Sequence, residues 1–348
     1  MRTRCAFPYA ACLGVIVALA DCGGADINAA AGEGGIPASV QRSAFSVRDS
    51  QGLASAAGQD LLYISSEDQG SVYVYTYPQR AWIGTLAHLN AAAFGECTDA
   101  SGDIFITTAS QSGAGTIYEY AHGGSSPIET LSDPGAADGC AVDPTSGNLA
   151  VANEYDERNP YYSYGGDVAI YAGAKGNPKM YYAHSPRLDG GFFFCSYDPG
   201  GNLFVTVEDQ YHVTHSLLLQ LAKASRTFQM LNLNTELSGI SSVQWDGKYV
   251  TVTSVGQGKP LLVYRLKLSG SSAKVVDTIP LQSTKNTYTG QVSIEGKTAI
   301  GLGAFRHGYE SAFFWAYPQG GKFRERIREV GKLPQTLWGI ALSIGQPR

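Results

Sequence analysis

One turn pattern governs what this chain can fold into. An apolar stretch runs into an Asp-bearing turn, a glycine closes the turn, and a short strand-like segment follows, again and again. The clearest copies occupy residues 140–153 (Asp143-Pro-Thr-Ser-Gly147-Asn148-Leu149) and 195–206 (Asp198-Pro-Gly-Gly201-Asn202-Leu203). Residues 99–107 and 245–251 repeat the pattern, 295–300 carry a worn copy, and 58–65 supply the second half of another. The anchoring glycines, 58, 102, 147, 201, 247 and 296, advance by 44, 45, 54, 46 and 49 residues. Self-similarity at this period marks an array of supersecondary units, each unable to bury its apolar face without its neighbours.

Every unit has the same internal order. After the turn strand and a variable loop comes an alternating segment: 72–77, 116–120, 167–171, 217–221, 261–265 and 312–316. Period-two alternation with aromatic and β-branched residues predicts strands, and glycine or asparagine supplies the positive φ of tight turns. Four strands per unit and six units predict an all-β fold: a six-bladed β-propeller of four-stranded blades, one domain over 57–348. The last unit ends after a first-strand segment, and its missing second strand sits at the other end of the chain. A strand at about 61–65 is therefore expected to pair with one at about 338–344, closing the ring and removing two raw sheet edges. The 54-residue step leaves room for a degenerate seventh unit, but a tyrosine-rich loop at 153–164 fits it better.

Composition agrees where it matters. Gly (42 residues) and Tyr (21) are abundant, while only 16% of residues are charged, against about 25% in an ordinary soluble domain. A disordered chain would be charge-rich and aromatic-poor, and a net charge of −5 argues against a nucleic-acid partner.

The run Asp143-Pro-Thr-Ser-Gly147-Asn148-Leu149-Ala-Val-Ala-Asn153, preceded by a small apolar strand, resembles the NHL-type repeat. It is also similar to the six-bladed propellers of the gluconolactonase and strictosidine-synthase-like group. The resemblance covers residues 58–344 and rests on turn and core positions; the later strand (Ile117-Tyr118-Glu119-Tyr120) lacks the Asn and Arg of the NHL pattern. It implies the propeller architecture. Its lactonase branch implies a divalent metal in the central channel, held by a Glu and other oxygen ligands, and no motif here assigns those ligands.

The N-terminus reads as an address. Arg2 and Arg4 precede an apolar run ending at Ala20, so residues 1–21 are expected to be a secretory signal peptide. The run carries Pro8 and is short of the ~20 residues of a membrane span. Ala18-Leu19-Ala20 suits cleavage before Asp21, whereas Leu19-Ala20-Asp21-Cys22 resembles a lipobox that would lipidate Cys22, with Asp21 where a small residue is usual. Soluble export and a lipid anchor both stay open, in the periplasm, at the cell envelope or outside the cell. Residues 22–56, rich in Gly, Ala and Ser, read as a flexible linker.

In a propeller, one face collects the loops from second to third strands and the connections to the next blade. Five of the six histidines fall there: His88, His184, His212, His215 and His307, with His122 on the other side. So do the long insertions. The candidate ligand-binding residues are Glu154, Tyr155, Asp156, Arg158, Tyr161 and Tyr162; Glu208, Asp209, Tyr211, His212 and His215; and Arg306, His307 and Tyr309. Function tends to sit on loops held by a rigid scaffold. Tyrosines there would stack on a polar ligand, and carboxylates or histidines would orient it. Glu154, Asp156, Glu208 and Asp209 offer hard oxygen ligands for one divalent cation, Ca²⁺ or Mg²⁺. The recurrent Asp99, Asp143, Asp198 and Asp246 read instead as turn-stabilising acceptors.

No Gly-x-Ser-x-Gly elbow, His-Glu-x-x-His, P-loop or helix-opening Gly-x-Gly-x-x-Gly is present. Cys97, Cys140 and Cys195 recur near three consecutive innermost strands and read first as small buried core residues, because neighbouring blades do not obviously bring them within the about 4.4–6.8 Å that a disulfide needs; one disulfide with a free thiol, or a three-cysteine metal site, stays open. Residues 1–174 carry a net charge of −13 and residues 175–348 one of +8. Lys322, Arg324, Arg326 and Arg328 alternate as along one outermost strand, where positive charge blocks edge pairing.

Two functional classes follow. The first is an exported or lipid-anchored module that binds a glycan, a peptide or an envelope protein through its loop-rich face. It would act as a monomer, without nucleic acid and without a membrane span. The second is a metal-dependent hydrolase or lactonase of the gluconolactonase type.

Overall fold

The computed structural model describes residues 52–345, apart from 88, 90, 111–112, 162–164, 256–259, 284–289 and 307–308. The expected signal peptide, Cys22, the linker as far as 51, His88, Tyr162 and His307 lie outside the described residues, as does the side chain of Arg306.

Six antiparallel sheets succeed one another along the chain as the blades of a six-bladed β-propeller. Blade 1 is built from both ends: Leu337–Ser343 innermost, then Asp60–Ser66, Ser71–Tyr77 and Trp82–Leu86. The closing pair runs in the expected place, with Leu61 opposite Ser343 and Ile64 opposite Ile340. Blade 2 comprises Ala92–Thr98, Ile104–Ala109, Gly115–Tyr120 and Pro127–Asp133; blade 3 comprises Ala137–Val142, Leu149–Asn153, Asp167–Tyr171 and Lys179–Tyr182. The 54-residue step is the loop between Asn153 and Asp167, so no seventh blade is hidden in it. Blade 4 comprises Phe192–Tyr197, Leu203–Glu208, His215–Leu221 and a two-residue outer strand, Gln229–Met230. Blade 5 comprises Val243–Trp245, Val250–Val255, Leu261–Ser269 and Ser272–Gln282; blade 6 comprises Val292–Glu295, Thr298–Arg306, Tyr309–Ala316 and Glu325–Ile327.

The core lies between the blades. An apolar cluster fills each gap: Tyr63, Val72 and Ile104 between blades 1 and 2, and Phe105, Val151 and Tyr171 between 2 and 3. Ala152, Val168 and Val205 join 3 to 4, and Phe194, Leu218 and Val252 join 4 to 5. Val263, Phe313 and Trp315 join 5 to 6, and Ile300, Phe314 and Ile64 join 6 to 1. Alternation along each strand sends successive side chains into opposite gaps, and burying each large one contributes about 1.5–3 kcal/mol. No blade is stable without its neighbours, which is the reason the sequence repeats.

The turns between first and second strands, on what we call the lower face, behave as read. Asp143 accepts from the Thr145 N–H, Asp198 from the Gly200 and Asn202 N–H groups, and Asp246 from those of Lys248 and Tyr249. Gly102, Gly147, Gly201, Gly247 and Gly296 follow at φ of 87, 72, 80, 91 and 56°, a conformation that other residues adopt at a cost.

Two expectations are corrected. Cys97 and Cys140 form a disulfide between the innermost strands of blades 2 and 3, with Cα atoms 5.6 Å apart, and Cys195 stays free and buried. The strands come that close because a glycine lines each junction. A Cβ on Gly95 would meet the Asp138 carbonyl oxygen at 2.6 Å, one on Gly139 the Phe193 oxygen at 2.4 Å, and one on Gly339 the Phe94 oxygen at 2.2 Å. The basic stretch, for its part, does not line one outer strand. Gly321–Lys322 pairs in parallel with the outer strand of blade 5, and only Glu325–Ile327 edges blade 6. At the other end of that same blade 5 strand, Asn232–Leu233 adds from blade 4. The chain is drawn across because Leu231 and Leu237 sink into the cluster between blades 4 and 5.

Candidate functional site

The upper face carries the loops from second to third strands and the connections between blades. At its centre the channel is closed. The Trp338 indole, from blade 1, stacks on Phe194 of blade 4 (centroids 6.1 Å apart) and meets Phe94 of blade 2 edge-on (5.8 Å). Its N–H donates to Asp138 of blade 3, so this one ring reaches across the axis. Beneath it Gln291 of blade 6 accepts from the Glu96 and Ile340 N–H groups and donates to the Glu96 carbonyl. Below that floor, the lower channel opens into a cavity of about 260 Å³ bordered by Glu96 and Glu295. Burial pushes the Glu295 carboxyl up to about 7 and Glu96 well above the usual carboxylate range.

Around the upper mouth stand Glu67 and Asp68 of blade 1, Glu154 of blade 3, Glu208 of blade 4 and Glu310 of blade 6. Partial burial raises Glu67, Glu208 and Glu310, the last to about 7, and mutual repulsion adds to it: Asp68 and Glu154 on Glu67, Glu154 on Glu208, Asp68 and Glu67 on Glu310. Asp138, fully buried below, is raised first by desolvation and then by Glu154 and Glu67. The mouth is a concentration of negative potential over a closed aromatic floor.

The sequence-derived residues do not gather at one place. Glu154 and Glu208 belong to this mouth. Tyr161 and Tyr211 are exposed on the same face (50% and 65%); Tyr161 packs edge-on against His184 at 4.2 Å. Tyr155 and Tyr309 are half-buried. Asp209, His212 and His215 meet in a separate cavity of about 280 Å³ between the third strand of blade 4 and the 230–237 segment that leads on to blade 5. Asp209 is held there by Arg187 through two hydrogen bonds of 3.0 and 2.6 Å, which keep its carboxyl low, while the two histidine rings lie 5.8 Å apart. Asp156 is buried, and Arg158 binds it through both its backbone N–H (2.8 Å) and its Nε (3.3 Å). Asp156 and Asp209 thus organise their own loops. Among the described residues no three His, Cys, Asp or Glu side chains are grouped to hold a metal ion.

Sequence reasoning missed Glu67, Arg187 and the Trp338–Phe94–Phe194 floor. A signal existed for the floor. Phe94, Asp138 and Trp338 each precede an inner-strand glycine at a blade junction, Gly95, Gly139 and Gly339, and they converge on the axis.

No family model matches the chain, and no curated protein does. Among solved structures it is similar to a protein of unknown function from Bacteroides caccae, with a TM-score of 0.57 and 12% identity, covering 83% of this chain and 100% of that one. It is also similar to TolB from Acinetobacter baumannii, with a TM-score of 0.56 and 9% identity, over 89% of this chain and 74% of that one. At these identities the likeness is one of fold.

Proposed function

We propose that this propeller is a binding module whose upper face takes a basic segment of a partner protein. The observation that carries the reading is the acid-lined mouth over a sealed aromatic floor. A ligand there rests on the face and does not enter the channel, and lysine or arginine side chains match the field of Glu67, Glu154, Glu208 and Glu310. Exposed Tyr161 and Tyr211 offer apolar contact and cation–π faces beside it. Affinity of the purified chain for a fluorescent oligolysine peptide tests this. Binding is expected at low salt, to weaken with added salt, and to drop at least about tenfold when Glu67→Lys and Glu208→Lys are combined. Glu129→Lys, on the exposed outer edge of blade 2, should leave it unchanged. Equal loss in both variants, or no binding by the unaltered chain, would refute the reading.

We also infer that the domain is exported as a monomer, soluble or lipid-anchored at Cys22. The leader-like residues 1–21 support this, and so does the Cys97–Cys140 disulfide, since such bonds persist in oxidising compartments. Among the described residues no helix is long and apolar enough to cross a membrane. Kinship with NHL-type or gluconolactonase-type propellers rests on the turn signature at 143–153 and 198–206.

A further inference from the structure

A second acidic constellation lies away from the mouth, between blades 2 and 3 and under the loop that follows Asn153. Asn153 and Asp167 face each other across the second and third strands of blade 3, and the Asn153 Nδ2 donates to Asp167 Oδ1 at 2.8 Å. Asp167 also touches Asp156, which the loop carries inward. Beside them Asp133 of blade 2 is fully engaged, accepting from the Gly135 N–H at 2.9 Å and from the Tyr171 hydroxyl at 2.7 Å. Asn153, Asp156 and Asp167 are 0%, 1% and 0% exposed. Each nevertheless keeps one oxygen with no hydrogen-bond partner: Asn153 Oδ1, Asp156 Oδ2 and Asp167 Oδ2.

Leaving a buried polar atom unpaired costs about 1–3 kcal/mol, and more when it is charged. Three in one cluster therefore call for an occupant. All three are acceptors; an internal donor would have to be a proton held by Asp167, whose carboxyl burial raises well above the usual range and which touches Asp156, and that proton would still leave Asn153 Oδ1 unanswered. Three carboxyl groups converge there, while the Arg158 guanidinium approaches from solvent and is 63% exposed. A set of carboxylate and amide oxygens is the chemistry of a hard cation and not of zinc, which prefers nitrogen and sulfur. Because only two of the free oxygens come from carboxylates, the site is not a three-carboxylate cage.

We propose that Asn153 Oδ1, Asp156 Oδ2 and Asp167 Oδ2 bind one Ca²⁺ ion between blades 2 and 3, with Asp133 as a neighbouring charge. The site is independent of the basic-segment reading of the upper face. It gives the blade 3 insertion a structural reason: the loop that presents Glu154 and Tyr161 is fastened through Asp156 to the strand pair beneath it. With two carboxylates in the set, the affinity belongs to the weak end of Ca²⁺ sites, a Kd on the order of 10⁻⁴ M.

The test uses the purified chain after treatment with a chelator. Adding Ca²⁺ should raise the melting temperature, and Tb³⁺ in its place should show luminescence sensitised by Tyr171, lost on competition with Ca²⁺. Asp156→Asn and Asp167→Asn should each abolish the luminescence; Asp156→Asn is isosteric and lies outside the strands, and an unchanged circular dichroism spectrum in each variant guards against a misfolded core. Glu129→Gln should retain it. A folded chain whose melt ignores Ca²⁺ and which gives no sensitised luminescence would overturn the proposal and leave the Asp156–Asp167 contact to a shared proton. Luminescence that survives both variants would overturn it equally, by placing the ion elsewhere.

Discussion

The turn aspartates of the lower face and the mouth glutamates of the upper face carry the same carboxyl group in opposite surroundings. On the lower face, aspartates are satisfied: Asp246 takes two turn N–H groups, the Arg265 Nε at 2.7 Å and the Tyr317 hydroxyl at 2.6 Å, and its carboxyl is held low. On the upper face, Glu67, Glu208 and Glu310 are raised, first by partial burial and then by neighbouring acids: Asp68 and Glu154 on Glu67, Glu154 on Glu208, Asp68 and Glu67 on Glu310. Satisfied acids hold the scaffold together. Crowded acids lower its stability and persist where something outside the chain answers them. The contrast separates the residues that make a propeller from those that make this one useful.

Predictions follow that contrast downward in size. Asp246→Ala should be the most damaging change. It leaves Arg265 only its longer pairing with Asp277 and cuts the tie from blade 5 to Tyr317 of blade 6, for a loss of about 3–5 kcal/mol in denaturant unfolding. Replacing Cys97 and Cys140 together by Ala should cost about 2–4 kcal/mol, since the bridge closes a loop of 43 residues. Asp198→Ala, which frees turn amides exposed to water, should cost about 1–2 kcal/mol. If all three lower-face and junction changes proved neutral, the division between faces would fail.

The upper face should respond with the opposite sign. Glu310 at the mouth, joined by Glu295 in the lower channel, sits at about 7 in the folded chain against 4.5 unfolded and holds a proton that the unfolded chain has already released. Their contribution to stability is complete below about pH 4.5 and is lost as pH rises through about 7. Melting temperature should therefore fall between about pH 4.5 and about pH 7, and Glu310→Gln should flatten that slope. Smallest of all, Glu67→Gln should leave stability within about 0.5 kcal/mol or raise it slightly by relieving repulsion. A clear loss there would mean that the mouth acids serve the scaffold after all.

The architecture was legible in the sequence because it is written repeatedly. Asp143, Asp198 and Asp246 with their glycines fixed the period, and alternation at 72–77 and 116–120 fixed the strands, so the ring closure through residues 61–65 could be placed beforehand. What stayed hidden was written once. The Cys97–Cys140 bond depends on how closely Gly95 lets two blades approach, a distance that spacing along the chain does not encode. Trp338 read as an ordinary strand residue until the ring placed it opposite Phe194. Asp156 was singled out as a hard oxygen donor, but its partners Asn153 and Asp167 looked like unremarkable strand ends, because they meet only across the blade.

The closing strand also decides how the molecule can be held. The Gly345 N–H donates to Asp60, and the Gln59 carbonyl meets His122, so the segments that lead into and out of the closing strand pair lie side by side on the lower face. A support or a fusion partner attached directly after residue 345 grips the ring from behind. The loop-rich face then looks outward like a dish on its mount, free to meet whatever drifts past it.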